Sequence, residues 1–143
     1  MNIQRTLMLV KPDGVARGLI GKVLTRFENK GFRFPAMKMV MPNKELLRQH
    51  YAEHADKPYY SGIEQSMTMG PILAMVVEGH ESIKVCRKML GATKPEEAEP
   101  GTIRFDFAEY MRQNVCHASD SEESAEREIG LWFDDAEITY DRE

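Results

Sequence analysis

Cysteine is scarce in this chain of 143 residues, and the two present, Cys86 and Cys116, limit what the protein can be. Two cysteines cannot build a disulfide framework or a four-cysteine zinc site, and they fit free thiols in a reducing compartment. Long apolar runs are lacking near the N-terminus, where residues 7–10 are far too short for a signal-peptide core or a membrane span. The sequence therefore predicts a cytoplasmic protein without a membrane anchor.

Positive charge is not in excess, because 19 Lys and Arg residues face 23 Asp and Glu residues, a formal net charge of −4. A stable grip on nucleic acid is not expected from such a balance, since phosphate-backbone binding needs a basic surface. A glycine-rich phosphate loop is lacking as well: residues 11–14 read KPDG and do not match G-x-x-x-x-G-K-[ST]. Any phosphate site must therefore be assembled from scattered side chains.

Hydrophobic periodicity predicts one α+β domain over residues 1–143. Strand-like runs are separated by stripes with helical spacing, and no linker or repeat divides the chain. The predicted strands cover residues 6–10, 34–41, 72–77 and 114–117. The third run is apolar throughout, which is typical of a central strand buried on both faces. We expect a ferredoxin-like split βαβ sandwich, with a four-stranded, mostly antiparallel sheet and helices on one face.

Two arginines stand out against this pattern. Arg87 follows Ile83 by four residues and so falls on the inward stripe of a predicted helix, where it needs an anion. Residues 91–113 show a weak pattern and predict a long loop that carries Arg104, with a possible helical turn near 107–111. Structureless connections of this length are often functional lids or binding loops, although a tolerated surface insertion has the same signature.

His117 ends a short apolar run just where a helix begins. Ser119, Asp120 and Ser121 are strong N-cap residues, and acidic residues follow them. Amide groups and partial positive charge gather at the start of a helix, which suits an anionic substrate such as a phosphate. Taken alone, the segment fits either a nucleophile at a strand-to-helix junction or a histidine in a polar loop.

Two other motifs compete for the chemistry. Residues 50–54 read HYAEH and match H-x-x-E-H, a zinc-peptidase signature that would place His50 and His54 on one helix face. No third ligand is evident, and the alternative is a partly exposed helix with Tyr51 facing the site. The second competitor is a nucleophilic pair of Cys116 and His117. Adjacent residues of a strand point to opposite faces, so these two side chains should not meet.

Taken together, ordered motifs along nearly the whole chain closely resemble the nucleoside diphosphate kinases. Among them are KPDGV at 11–15, RGLIG at 17–21, MLGAT at 89–93, PGTIR at 100–104, HASDS at 117–121 and AEREI at 125–129. Shorter matches are RT at 5–6, RFE at 26–28, KGF at 30–32, QHY at 49–51 and GP at 70–71. The resemblance implies an enzyme that maintains nucleotide pools.

In that family the terminal phosphoryl group moves from a nucleoside triphosphate to a nucleoside diphosphate through a phosphohistidine. The resemblance assigns the nucleophile to His117, and it assigns the support of its ring to Glu128 with Ser119 nearby. Lys11 and Tyr51 complete the implied catalytic set. A neutral imidazole with a pKa of about 6.5 can attack phosphorus without a separate base, and one covalent intermediate predicts ping-pong kinetics.

The resemblance also implies how substrates and metal are bound. Phosphoryl transfer depends on positioning and charge neutralisation, so donors must converge on the phosphates and sugar. The implied nucleotide-binding residues are Lys11, Tyr59, Ile63, Arg87, Thr93, Arg104 and Asn114. Tyr59 and Ile63 would hold the base by stacking and apolar contact, which favours broad base acceptance. The implied cofactor is Mg²⁺ carried by the nucleotide phosphates, with Asp120 as a nearby carboxylate acting through water.

Four residues depart from the family pattern, and one of them is Tyr59, which stands where relatives usually carry phenylalanine. Ala118 replaces a glycine after the histidine, and it would be strained by roughly 1–2 kcal/mol if that glycine used a positive φ. Phe105 stands where a small residue is common, and Gln113 where many relatives carry a different polar residue. The resemblance also implies a homo-oligomer built from dimers, either a tetramer or a hexamer. A nucleotide-binding or interaction module that has lost turnover is the alternative function.

Overall fold

The computed structural model describes residues 1–139. Within them, the strands are β1 (Ile3–Val10), β2 (Arg33–Val40), β3 (Ile72–His80) and β4 (Cys116–Ala118). The helices are α1 (Pro12–Ala16), α2 (Ile20–Lys30), α3 (Lys44–His50), α4 (Tyr60–Met67), α5 (Ser82–Leu90), α6 (Ile103–Phe107) and α7 (Glu122–Trp132). None of these helices is long and apolar enough to cross a lipid bilayer. The last four residues of the predicted domain, 140–143, lie outside the described range.

The four strands form a single sheet in the order β2-β3-β1-β4, and each neighbouring pair is antiparallel. β3 lies between β2 and β1, so the apolar run at residues 72–77 is a central strand, as predicted. β2 and the short β4 form the two edges of the sheet among the described residues. The predicted α+β sandwich with an antiparallel four-stranded sheet is confirmed.

Helices cover both faces of this sheet, so the prediction of helices on one face is wrong. One core packs α2 and α5 on the side of Met8 and Val10 of β1, and it includes Phe27 and Cys86. The other core packs α3, α4 and α7 on the opposite side, around Leu7 and Leu9. A central strand that is apolar on both faces requires cover on both, which is what these two layers supply.

Local signals fix several helix ends. Asn43 caps α3 by accepting the Leu46 N–H at 2.7 Å, and Ser121 caps α7 by accepting the Ser124 N–H at 3.0 Å. Gly31 ends α2 with a φ of 101°, a left-handed conformation that glycine adopts without steric cost. The cap at Ser121 lies where the sequence predicted the start of a helix.

The segment before β4 differs from its prediction. Residues 91–113 are not structureless, because they contain α6 and two short 3-10 turns at Pro95–Glu97 and Met111–Gln113. The helical turn expected near 107–111 lies earlier, in α6, where the Thr102 side chain accepts the Phe105 N–H at 3.3 Å as an N-cap. Strand β4 begins at Cys116 instead of residue 114, because the backbone turns sharply at Val115.

Candidate active site

Strand β4 sets the direction of the His117 side chain. His117 pairs with Leu9 of β1, while Cys116 pairs with Val10. Because successive residues of a strand face opposite ways, His117 points toward α3 and α7, and Cys116 lies in the core beneath α2 and α5. The thiol and the imidazole therefore lie on opposite faces of the sheet, as predicted. Burial raises the pKa of Cys116 to about 12, so this thiol is protonated at neutral pH.

His117, Glu128 and Ser119 form a hydrogen-bonded chain between β4 and α7. His117 Nε2 lies 3.0 Å from Glu128 Oε1, and Ser119 Oγ donates to the same carboxylate oxygen at 2.7 Å. The Ser119 hydroxyl also accepts the Leu7 N–H of β1 at 3.3 Å. The Glu128 side chain is 7% exposed, so these contacts are shielded from water. The fold thus brings together three residues that are separated in the sequence.

The contacts define the protonation of the imidazole. A carboxylate accepts hydrogen bonds, so His117 Nε2 carries the proton and Nδ1 holds the lone pair. Burial lowers the pKa of His117 and outweighs the opposing influence of Glu128. Burial alone would raise the pKa of Glu128, but the contacts with His117 and Ser119 hold it below its usual range. Near neutral pH the pair is a neutral imidazole beside an ionised carboxylate.

A second histidine, His50 at the end of α3, packs edge-to-face on His117, with ring centroids 4.6 Å apart. Trp132 Nε1 donates to His50 Nδ1 at 3.0 Å, so the proton of His50 is on Nε2. Burial, reinforced by His117, lowers the pKa of His50 to about 3. His50 is therefore a neutral neighbour of His117 across the physiological range of pH.

The helical zinc motif considered as an alternative at residues 50–54 is not formed. Helix α3 ends at His50, so His54 lies beyond it and the two do not share a helix face. His54 Nδ1 instead lies 2.5 Å from the Tyr59 hydroxyl. Ligand-type atoms of His50, His117 and Glu128 do lie within 4.8 Å of one another. However, His50 cannot bind a metal through a protonated Nε2 while its Nδ1 accepts the Trp132 hydrogen bond.

The strained residue beside the histidine is Val115, whose φ is 73°. Cys116 N donates to Asn114 O at 2.8 Å, which is the i to i+2 hydrogen bond of a γ-turn. Such a φ costs a β-branched residue about 1–2 kcal/mol, and Asp13 Oδ2 holds the turn by accepting the Val115 N–H at 3.1 Å. Ala118 lies in β4 without a positive φ, so the strain considered for Ala118 is absent.

A cavity of about 390 Å³, here called the main cavity, opens beside this turn. On its β1 side, Lys11 Nζ donates to Asn114 Oδ1 at 2.8 Å, and Asn114 Nδ2 donates to Thr93 O at 3.1 Å. Burial, reinforced by the nearby Arg104, lowers the pKa of Lys11 to about 8. Lys11 therefore remains mostly protonated at neutral pH, and this side of the cavity suits phosphate and sugar oxygens.

The α4 side of the main cavity is mostly aromatic and apolar, with one arginine among its residues. Tyr59 and Ile63, both expected to hold a base, line it together with His54. Met111 and Arg112, on the 3-10 turn before β4, line it as well. Sequence reasoning missed these two, since they lie in a segment without periodicity. The signal available in the sequence was that they lie three and two residues before Asn114, which was itself expected to bind the nucleotide.

A smaller cavity of about 160 Å³, here called the histidine cavity, surrounds His117. Arg87, Asp120 and Arg127 line it, and Tyr51 lines both cavities, which makes them neighbours. The predicted inward Arg87 is half-buried, and its Nη1 donates to Ala118 O at 2.9 Å. A hydrogen bond from Ser124 and the charge of Arg87 hold the pKa of Asp120 below its usual range.

Arg104 lies in α6 and not in a loop, and it is 5% exposed. Its guanidinium donates to the Gly91 and Cys116 carbonyls at 2.9 and 2.8 Å, which anchors α6 to β4. Burial lowers its pKa to about 10, so it is charged at neutral pH. It lines neither of the two cavities, and it acts on them through its charge near Lys11. Phe105 is 45% exposed, and Gln113 is exposed as well.

The site combines an α+β fold, a half-buried histidine with an ionised carboxylate partner, and a cationic cavity, which together define a phosphotransferase-like centre. Comparison with known proteins identifies the class. The sequence profile described as nucleoside diphosphate kinase matches residues 4–138. The chain belongs to the nucleoside diphosphate kinase family, and it is an enzyme of phosphoryl transfer between nucleotides.

Individual relatives agree with this assignment. The nucleoside diphosphate kinase of Thermoanaerobacter pseudethanolicus is 56% identical over 92% of this chain and 97% of its own length. That of Archaeoglobus fulgidus is 54% identical over 95% of this chain and 90% of its own. A solved family member from Babesia bovis has a TM-score of 0.92 and 45% identity, covering 99% of this chain and 95% of its own. The Halobacterium salinarum enzyme in complex with CDP has a TM-score of 0.93 and 46% identity, over 97% and 93% of the two chains.

Proposed function

We propose that His117 is the nucleophile and that its Nδ1 carries the phosphoryl group between two half-reactions. The observation behind this proposal is the 3.0 Å contact of His117 Nε2 with Glu128, which leaves the lone pair on Nδ1. In the first half-reaction Nδ1 attacks the terminal phosphorus of a nucleoside triphosphate, and the bond to the leaving diphosphate breaks. In the second, a terminal oxygen of the acceptor diphosphate attacks that phosphorus and the P–N bond breaks.

The surrounding charges would orient and stabilise the transferred group. Positive charge that develops on His117 as it attacks is stabilised by Glu128, whose carboxylate is already in contact with the ring. In the proposal, Arg87 of the histidine cavity binds the phosphoryl oxygens, and Lys11 with Asn114 binds the inner phosphates and the sugar. Burial raises the pKa of the Tyr51 hydroxyl, so Tyr51 acts as a hydrogen-bond donor between the two cavities.

Base binding would occur on the α4 side of the main cavity. Tyr59 is half exposed and offers a stacking face, with Ile63 beside it, and Thr93 lies nearer the sugar. Stacking and apolar contact act on any base. We propose Arg104 as a residue that acts through its charge, since its two hydrogen bonds to carbonyls hold it behind Lys11.

Kinases of nucleotides need a divalent metal, and we propose Mg²⁺ for this enzyme. Asp120 fits the metal because its carboxylate, a hard oxygen donor, is ionised and lies in the histidine cavity with Arg87. When bound on the nucleotide phosphates, Mg²⁺ would neutralise negative charge on their oxygens. Asp120 would hold it through water and orient the phosphates beside His117.

We also propose that residues 1–143 act as one domain in a cytoplasmic homo-oligomer built from dimers. Strand β2 is an edge of the described sheet, and Met37 and Met39 on it are 43% and 50% exposed. An edge strand with exposed apolar side chains is a surface that another copy can cover. Light scattering measures the assembly, and a monomeric mass would contradict this part of the proposal.

The nucleophile is tested with γ-labelled ATP, followed by acid and alkali treatment of the labelled protein. We expect an acid-labile, alkali-stable label that a nucleoside diphosphate removes as labelled triphosphate. His117→Gln should abolish the label, whereas His80→Gln, which changes an exposed histidine that lines neither cavity, should keep it. Label on His117→Gln at the wild-type level would refute the mechanism. Nucleotide binding without any label would instead identify a binding module without turnover.

A further inference from the structure

Arg112 gives the α4 side of the main cavity a positive charge that the phosphoryl-transfer mechanism does not use. It lies on the 3-10 turn Met111–Gln113 and is exposed. Within residues 1–139 its side chain forms no ion pair or hydrogen bond with another side chain or the backbone. Of the residues lining this cavity, Lys11 is already bonded to Asn114, so Arg112 offers the unengaged cationic donors.

The guanidinium of Arg112 occupies the space that a side chain would take at position 62, where the residue is glycine. A Cβ on Gly62 would lie 2.8 Å from Arg112 Nη2 and 3.0 Å from Cζ, so the head group rests against the backbone of α4. The Gly62 N–H donates to the Tyr59 carbonyl at 3.1 Å, which fixes this contact in the first turn of the helix, beside the stacking residue. The guanidinium is thus next to the residues proposed to hold the base.

We infer that Arg112 is a specificity-determining residue that makes the base site favour guanine over adenine. A guanidinium presents only donors, and guanine offers two adjacent acceptors, O6 and N7, which it can engage together. Adenine offers N7 beside the N6 amino group, which is itself a donor and opposes the guanidinium. The inference rests on the proposed function, because it needs the base beside Tyr59 and Ile63.

The expected effect is modest. A bidentate arginine–guanine contact discriminates by about fivefold or more, and Arg112 belongs at the lower end because it is exposed to water. We therefore expect the ratio of the ADP and GDP dissociation constants to fall by about fivefold when the guanidinium is removed or displaced. Stacking on Tyr59 is common to both bases, so it would leave the ratio unchanged.

The experiment measures GDP and ADP binding by calorimetry on the full chain, which does not depend on turnover. Arg112→Gln removes the charge, and Gly62→Ala keeps Arg112 but places a methyl group where its guanidinium lies. Both should lower the ratio about fivefold. Arg48→Gln is the matched control, since Arg48 also packs on α4, over the Tyr60 ring, but does not line the cavity. It should keep the wild-type ratio.

Each other outcome overturns the inference. An unchanged ratio of dissociation constants in Arg112→Gln would show that Arg112 does not contact the base. Equal losses of affinity for GDP and ADP would identify Arg112 as a phosphate ligand instead. A fall in Arg48→Gln as large as in Arg112→Gln would make the effect one of net charge. Phosphoryl transfer is assayed separately, so a protein that binds GDP selectively without forming a phosphohistidine would refute the proposed mechanism and keep this inference.

Discussion

At the scale of single residues, the site depends on two histidines with opposite hydrogen-bond roles. His117 donates through Nε2 to a carboxylate, so its Nδ1 lone pair is available. His50 accepts at Nδ1 from the Trp132 indole, so its proton is held on Nε2. A neutral ring packed on His117, the proposed nucleophile, adds no positive charge that would oppose the attack on phosphorus. The second role was not predictable from the motif H-x-x-E-H, which does not reveal the indole partner.

The low pKa of His50 leads us to expect that the free energy of unfolding depends on pH. In the unfolded chain His50 titrates near 6.5, while in the fold its pKa is about 3, so the unfolded state binds more protons between these values. The stabilising contribution of His50 is therefore complete above pH 6.5 and is lost as the pH falls toward 3, by at most about 1.4 kcal/mol per pH unit.

Urea denaturation of wild type and of His50→Gln across this range measures the effect. The introduced glutamine does not titrate, and its amide oxygen can still accept the indole N–H, so the variant should lose stability less steeply with acid. Parallel pH dependences for the two proteins would show that His50 is not the group responsible.

At the scale of elements, the sequence predicted the strands from their periodicity but not the turn that precedes β4. Val115 is apolar and β-branched, so its local preference is extended, yet tertiary hydrogen bonds hold it at a φ of 73°. The same limit applies to Arg104: the weak pattern of residues 91–113 predicted a loop, while Thr102 in fact begins α6 as an N-cap. By contrast, the apolar run at 72–77 already indicated helices on both faces of the sheet, because a strand that is apolar on both faces needs cover on both.

The turn before β4 should be sensitive to Asp13, which joins it to α1. Asp13→Ala leaves the buried Val115 N–H without its acceptor, and we expect a loss of about 1–3 kcal/mol in the free energy of unfolding. Asp13→Asn keeps an acceptor oxygen and should lose less. Chemical denaturation compares the two variants, and equal stability of Asp13→Ala and wild type would show that the contact does not hold the turn.

At the scale of the whole molecule, one buried carboxylate connects three strands at the end of the sheet away from the site. Glu78 of β3 is 1% exposed and lies opposite Arg5 of β1 and Arg33 of β2 in the strand register. Its side chain forms ion pairs with both arginines, the one to Arg5 at 2.7 Å. This cluster stabilises the order of the sheet without taking part in phosphoryl transfer.

Glu78→Gln should therefore destabilise the protein and leave its chemistry intact. Breaking a buried ion pair costs about 3–5 kcal/mol, and we expect about 2–3 kcal/mol because the Arg33 side chain is 51% exposed. Thermal unfolding measures the loss, and Glu137→Gln, which breaks the more exposed pair with Lys38, is the control expected to change little. A larger effect in the control than in Glu78→Gln would refute this ranking.

The family and the fold were predictable because their signals are spread along the chain, in motifs from residue 5 to residue 129 and in the periodicity of the strands. The resemblance also named Glu128 as the partner of His117, and it named Asn114, whose contact with Lys11 becomes visible only when the segment before β4 is placed beside β1. Met111 and Arg112 were missed, because their place in the cavity follows from the turn at Val115 and their closeness to Asn114 was their one signal in the sequence.

The proposed attack of His117 through Nδ1 is tested most sharply by locating the phosphoryl group on the labelled ring. The phosphoprotein, made with ATP and kept at alkaline pH, is examined by ³¹P and ¹⁵N NMR with histidine-labelled protein. We expect a single phosphohistidine, at His117, with phosphorus bonded to Nδ1. Phosphorus on Nε2, or on a residue other than His117, would contradict the proposed mechanism.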